Sequence, residues 1–129
     1  MLGNLVLVAI GSALGGMARY AVGLALPYDP AGPGSLPLAT LLVNLTGSLA
    51  IGMISGLTMP GGLLAAVPNL NLFMTAGLLG GFTTFSAFSE ETARMLAEGE
   101  PFLVIVYATL LVWGCVASAA IGLYIGTRI

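Results

Sequence analysis

Apolar residues fall into four long runs, at residues 2–26, 38–59, 70–96 and 102–125, and helix-breaking or polar residues gather between them. A helix rising 1.5 Å per residue needs roughly 20 residues to cross about 30 Å of hydrocarbon. Each run therefore predicts one transmembrane helix. The connections agree with that reading. Residues 27–37 hold Pro27, Pro30, Pro33 and Pro37 with Gly32 and Gly34, residues 60–68 open Pro-Gly-Gly, and residues 97–101 place Glu98 and Glu100 before Pro101. Proline and glycine favour turns, and proline also suits a helix start. The expected fold is an all-α membrane protein, one four-helix domain over residues 1–129.

Composition fixes the solvent. A mean hydropathy of +1.08, with 58% hydrophobic and only 6% charged residues, leaves too few charges to cover a soluble domain. The first run lacks a basic leader and exceeds the usual 7–15 residues of a signal peptide's apolar core, which argues for a span. Cys115 is the single cysteine, so no intrachain disulfide forms, and histidine is absent. A formal charge of −2 gives no nucleic-acid footprint.

Orientation is weakly encoded. There is no lysine, and Arg19 and Arg94 lie toward the side of the first and third linkers while Arg128 lies on the other. Positive charge normally selects the cytoplasmic side. Here the bias nearly cancels. Two readings stay open: insertion in both orientations with an antiparallel homodimer, or one orientation set by lipid charge and neighbouring proteins.

Small residues recur every four positions at Gly11 and Gly15, at Ser48, Gly52 and Gly56, and at Gly114, Ser118, Gly122 and Gly126. Such stripes let helix backbones approach closely in lipid. The polar residues inside the runs need another account. Asn44 shares a helix face with Thr40 and Ser48, either as interhelical glue or as the wall of a polar cavity. In the third run, Gly77, Gly80 and Gly81 precede Thr83, Thr84, Phe85, Ser86, Phe88 and Ser89. Glycine and β-branched threonine weaken a helix, so local unwinding near residues 80–84 is expected, with a mild kink as the alternative. Freed carbonyls at that depth must be buried, wetted or bound to a cation. Phenylalanine edges carry positive quadrupole character, so Phe85 and Phe88 are either packing residues or weak anion contacts. Tyr107 is a pathway donor or an interfacial anchor, Glu90 and Arg94 form a helix-end ion pair, and Arg19 must snorkel or find a partner.

The segment GGFTTFSAFSEE, with VNLTGSLAIG before it and GGMARY near the start, resembles the CrcB/Fluc fluoride channels across essentially the whole chain. The resemblance implies a dual-topology antiparallel homodimer with two fluoride pores and a structural sodium ion at the dimer interface. It further implies that Asn44, Thr84, Phe85, Ser86, Phe88, Ser89 and Tyr107 lie along the fluoride pathway, that Arg19 lies at the vestibule, and that the carbonyls of Gly80 and Thr83 hold sodium. Cys115 departs from a position where the family often has serine, and a thiol donates more weakly than a hydroxyl.

The function expected from this resemblance is passive export of fluoride across a prokaryotic plasma or inner membrane, with fluoride, lipid and a second inverted copy as partners. A small multidrug/proton antiporter of dual topology is the alternative, but it needs a membrane-embedded carboxylate. None lies in the first two runs, and Glu90 and Glu91 sit near the end of the third. Enzymatic activity is disfavoured, since no His, Lys or paired carboxylate is placed to activate a hydroxyl.

Overall fold

The computed structural model describes residues 1–29 and 35–129. Helix α1 spans Leu2–Ala25, α2 spans Leu38–Leu57, a third span covers Pro68–Ala97, and α6 spans Pro101–Gly126. These bounds fall within two residues of those read from the apolar runs. Pro68 and Pro101 each open a helix, where a missing N–H costs no intrahelical bond. Of the first linker, Pro30, Gly32, Pro33 and Gly34 lie outside the described residues.

The third span is a composite. It begins as α3 (Pro68–Leu72), widens into a π-helical stretch (Phe73–Leu79), tightens to α4 (Gly80–Phe82), breaks, and resumes as α5 (Phe85–Ala97). The break consists of Thr83 (φ −77°, ψ 158°) and Thr84 (φ −153°, ψ 122°), both extended. It falls inside the expected window but on the threonines. Gly80 stays helical at φ −63°, ψ −35°.

Packing explains what the glycines do instead. A Cβ on Gly81 would lie 2.4 Å from the Ser12 carbonyl oxygen, and one on Gly15 would lie 2.0 Å from that of Leu78. These glycines bring the backbone of α1 against the third span, and Ser12 Oγ adds a 3.3 Å bond to the Gly77 carbonyl. The stripes of α2 and α6 meet in the same way. A Cβ on Gly52 would lie 2.1 Å from Ala119 O, and one on Gly126 would lie 2.2 Å from Met53 O. Close backbone approach replaces the hydrophobic drive that lipid cannot supply.

The apolar core is small and lies where α5 leans on α6: Phe88, Met95, Tyr107 and Leu111 pack together. Most large apolar side chains instead face outward, Trp113, Leu24 and Ile121 among them. In water that surface would drive aggregation. In hydrocarbon it is the solvated face.

Candidate functional site

The break is held open from another helix. Asn44, buried on α2, uses its side-chain amide against both peptide groups of Thr84. Its Oδ1 accepts the Thr84 N–H at 3.0 Å, and its Nδ2 donates to the Thr84 carbonyl at 3.0 Å. The second Nδ2 hydrogen goes to the Thr40 carbonyl at 2.8 Å. An amide can make this two-way pairing because it both donates and accepts. Thr84 then caps α5, its Oγ1 accepting the Ala87 N–H at 3.2 Å.

The break withdraws two donors from the helical ladder. A continuous helix would send the Thr84 N–H to the Gly80 carbonyl and the Ala87 N–H to the Thr83 carbonyl. Both donors go elsewhere, to Asn44 Oδ1 and Thr84 Oγ1. Gly80 and Thr83, like Gly81 and Phe82 between them, are thus left with carbonyl oxygens that no backbone donor among the described residues meets. Uncharged oxygens of this kind suit a hard cation. The two of Gly80 and Thr83 are too few for a full coordination shell. Among the described residues no group of His, Cys, Asp or Glu offers a competing metal site.

Gly80 and Thr83 open onto a cavity of about 400 Å³, lined also by Asn44, Ser48, Phe85 and Cys115. Its donors are mostly committed. Thr83 Oγ1 donates to Leu79 O at 2.9 Å, and both Asn44 hydrogens are taken. Ser48 has no bonding partner among the described residues, which makes its hydroxyl the available donor of that wall. Sequence reading placed Ser48 on the face of Asn44 without singling it out. Thr84 Oγ1 and Ser86 Oγ share one bond at 3.1 Å, so one of their two hydrogens remains for another acceptor. Ser89 is exposed and donates to Phe85 O at 2.9 Å.

The two phenylalanines separate. Phe85 is 69% exposed and projects beside the cavity, whereas Phe88 is buried against Tyr107. Their rings are 5.3 Å apart at 54°, and the Phe88–Tyr107 rings are 5.3 Å apart at 58°. Tilted contacts of this geometry avoid the face-to-face sandwich that the aromatic quadrupole disfavours. The resulting ladder runs from the cavity into the core.

Tyr107 is wholly buried, which removes the interfacial-anchor reading. Its hydroxyl donates to Glu91 Oε2 at 2.7 Å, and Thr40 Oγ1 donates to Glu91 Oε1 at 2.6 Å. Glu91 therefore ties three spans together inside the bundle. Sequence reading set Glu91 near the span's end with Glu90. The overlooked signal is spacing: Thr84, Phe88 and Met95 are buried, and position 91 falls on the same helical face. Glu90 instead pairs with Arg94 at the exposed helix surface, as expected.

On the other side of α2, Arg19 lines a second cavity, of about 230 Å³, with Thr40, Val43, Thr84 and Ala87. No carboxylate lines this space. Arg19, partly buried and unpaired among the described residues, brings a positive charge to this pocket behind the break.

The chain is similar to known proteins over almost its whole length. The family model described as "CrcB-like protein, Camphor Resistance (CrcB)" matches residues 6–123. The chain is 43% identical over 121 residues to fluoride-specific ion channel FluC 1 of Bradyrhizobium diazoefficiens, covering 94% of this chain and 82% of that protein. It is 42% identical over 124 residues to fluoride-specific ion channel FluC of Chlorobaculum tepidum, covering 96% and 91%. With fluoride-specific ion channel FluC 2 of Bacillus subtilis it shares 40% identity over 122 residues, covering 95% and 86%.

Proposed function

The chain belongs to the CrcB family, and from that premise we propose that it is a fluoride-selective channel of the cell membrane, letting the anion leave passively down its electrochemical gradient. The observation that carries this reading is the break at Thr83–Thr84, pinned by Asn44 beside the exposed ring of Phe85 and a polar-walled cavity. Relatives that cover nearly the whole chain carry the name of that activity.

Fluoride gives up a tightly held water shell only where short, preorganised donors replace it. The spare hydrogen of the Thr84–Ser86 pair, the Ser48 hydroxyl and the edge of Phe85 are the replacements, and Arg19 draws the anion toward them from the vestibule. Uncharged donors hold an anion without trapping it. Asn44, Ser89 and Tyr107, whose hydrogens are engaged within the protein, shape the path by fixing the groups around it.

Two inverted copies form the working unit, with a pore on each side of their junction. Exposed Phe85 and the open cavity beside it support this assembly, since a second chain would close the wall and cover the ring. The nearly cancelling arginines support opposed insertion. A sodium ion between the copies would be held by the carbonyls of Gly80 and Thr83 from each chain. Its part is to join the two breaks.

Glu91 favours the antiporter as a second reading, because it is a carboxylate within the bundle. Its two oxygens are already bound by Thr40 and Tyr107. The deciding experiment is efflux from reconstituted liposomes followed by a fluoride electrode, with a potassium ionophore to release the electrical block. Fluoride should leave while chloride and nitrate stay. Retention of fluoride, or proton-coupled uptake of an organic cation, overturns the channel.

A further inference from the structure

We propose that Asn44 and Thr84 are positioning residues for the cation, acting by diverting the two N–H groups that would otherwise silence its carbonyl ligands. The inference rests on the reading of sodium at Gly80 and Thr83.

Two acceptors compete for each donor at the break. Nothing in the covalent chain prevents residues 83 and 84 from being helical, since neither is proline or glycine. Were they helical, the Thr84 N–H would bond the Gly80 oxygen and the Ala87 N–H would bond the Thr83 oxygen. Asn44 Oδ1 captures the first donor at 3.0 Å and Thr84 Oγ1 the second at 3.2 Å. Each captured donor matches one exposed ligand. The Thr84 carbonyl is in turn occupied by Asn44 Nδ2 at 3.0 Å, so the amide treats this residue as an adjacent β-strand would.

The residue types follow from the task. An aspartate at position 44 would keep the acceptor but turn a second oxygen toward the Thr40 and Thr84 carbonyls, now 2.8 and 3.0 Å from Nδ2. An alanine would return the Thr84 N–H to Gly80. At position 84, serine keeps the capping oxygen and alanine removes it. Gly47 makes room for the arrangement, because a Cβ there would lie 2.3 Å from Thr83 Cγ2.

The test measures thermal unfolding of purified protein in detergent across a sodium titration, with N-methylglucamine holding ionic strength constant. For wild type, sodium should raise the midpoint temperature. Asn44→Ala and Thr84→Ala should each shift the sodium concentration of half-effect upward by about 10–100-fold, the usual penalty for losing a residue that orients metal ligands. Thr84→Ser should restore the wild-type value. A purely structural role would instead lower the sodium-free midpoint and leave the half-effect concentration unchanged, which overturns the proposal. No sodium response in wild type removes the cation site and this inference with it. If Asn44→Ala does not fold, the Thr84 pair decides alone, since its alanine and serine members share an intact Asn44.

Discussion

Gly122→Ala adds one methyl group at the seam between α2 and α6, and the geometry gives its cost. The new Cβ would lie 2.0 Å from the Leu49 carbonyl oxygen, with Met53 N at 2.8 Å and Leu49 C at 3.0 Å. A carbon normally meets a carbonyl oxygen at about 3.3 Å, so the helices must part by about 1.3 Å there. Every obstructing atom is backbone, so no rotamer change relieves the clash. Separation would also loosen the neighbouring contacts of Gly52, Gly56 and Gly126. Overpacking a tight site costs about 1–3 kcal/mol, and this site belongs at the upper end. Alanine recovers about 1 kcal/mol of helix propensity, leaving a net loss of about 1–2 kcal/mol. The assay is thermal unfolding in detergent micelles beside Gly16→Ala, whose Cβ meets nothing within 4 Å, and Gly114→Ala, which meets only the mobile tip of Leu45. Stability should fall in the order Gly16→Ala, Gly114→Ala, Gly122→Ala. Equal stability of the first and last would refute a seam built on backbone contact.

Phe85→Ile removes the exposed ring edge and should slow fluoride efflux; undiminished efflux would remove Phe85 from the path. Tyr107→Phe deletes the 2.7 Å bond to Glu91 and should cost about 1.5–3 kcal/mol in unfolding, as for a bond to a charged group; an unchanged unfolding curve would show that the bond contributes nothing net. Cys115→Ser puts a stronger donor on the cavity wall and should preserve or raise flux, and its abolition would contradict the placement of that face.

The spans were legible because hydrocarbon imposes one length and one composition on each, and the flanking prolines and glycines mark the ends. The break was legible only as a region. Gly80 and Gly81 have the weaker propensity, but Gly81 is committed to contact with Ser12, and the choice of Thr83–Thr84 is made by Asn44, 40 residues earlier. Local propensity carries no record of that partner. The same holds for Glu91, which chain position puts near a boundary, and for Tyr107, which it leaves between pathway donor and interfacial anchor. Both turn inward because Thr40 supplies a second hydroxyl across the bundle. Phe85 and Phe88 share spacing and chemistry, yet only contact with Tyr107 separates the buried ring from the exposed one.

Pinning the break from α2 has a consequence for biogenesis. A segment alone in lipid must satisfy its own peptide groups, so on leaving the insertion machinery residues 68–97 are most stable as one unbroken rod. The rod can yield only once the earlier span docks and offers its amide in exchange for the helical bonds it displaces. Assembly thus creates the interruption, and a chain whose spans are inserted but not yet docked still lacks it.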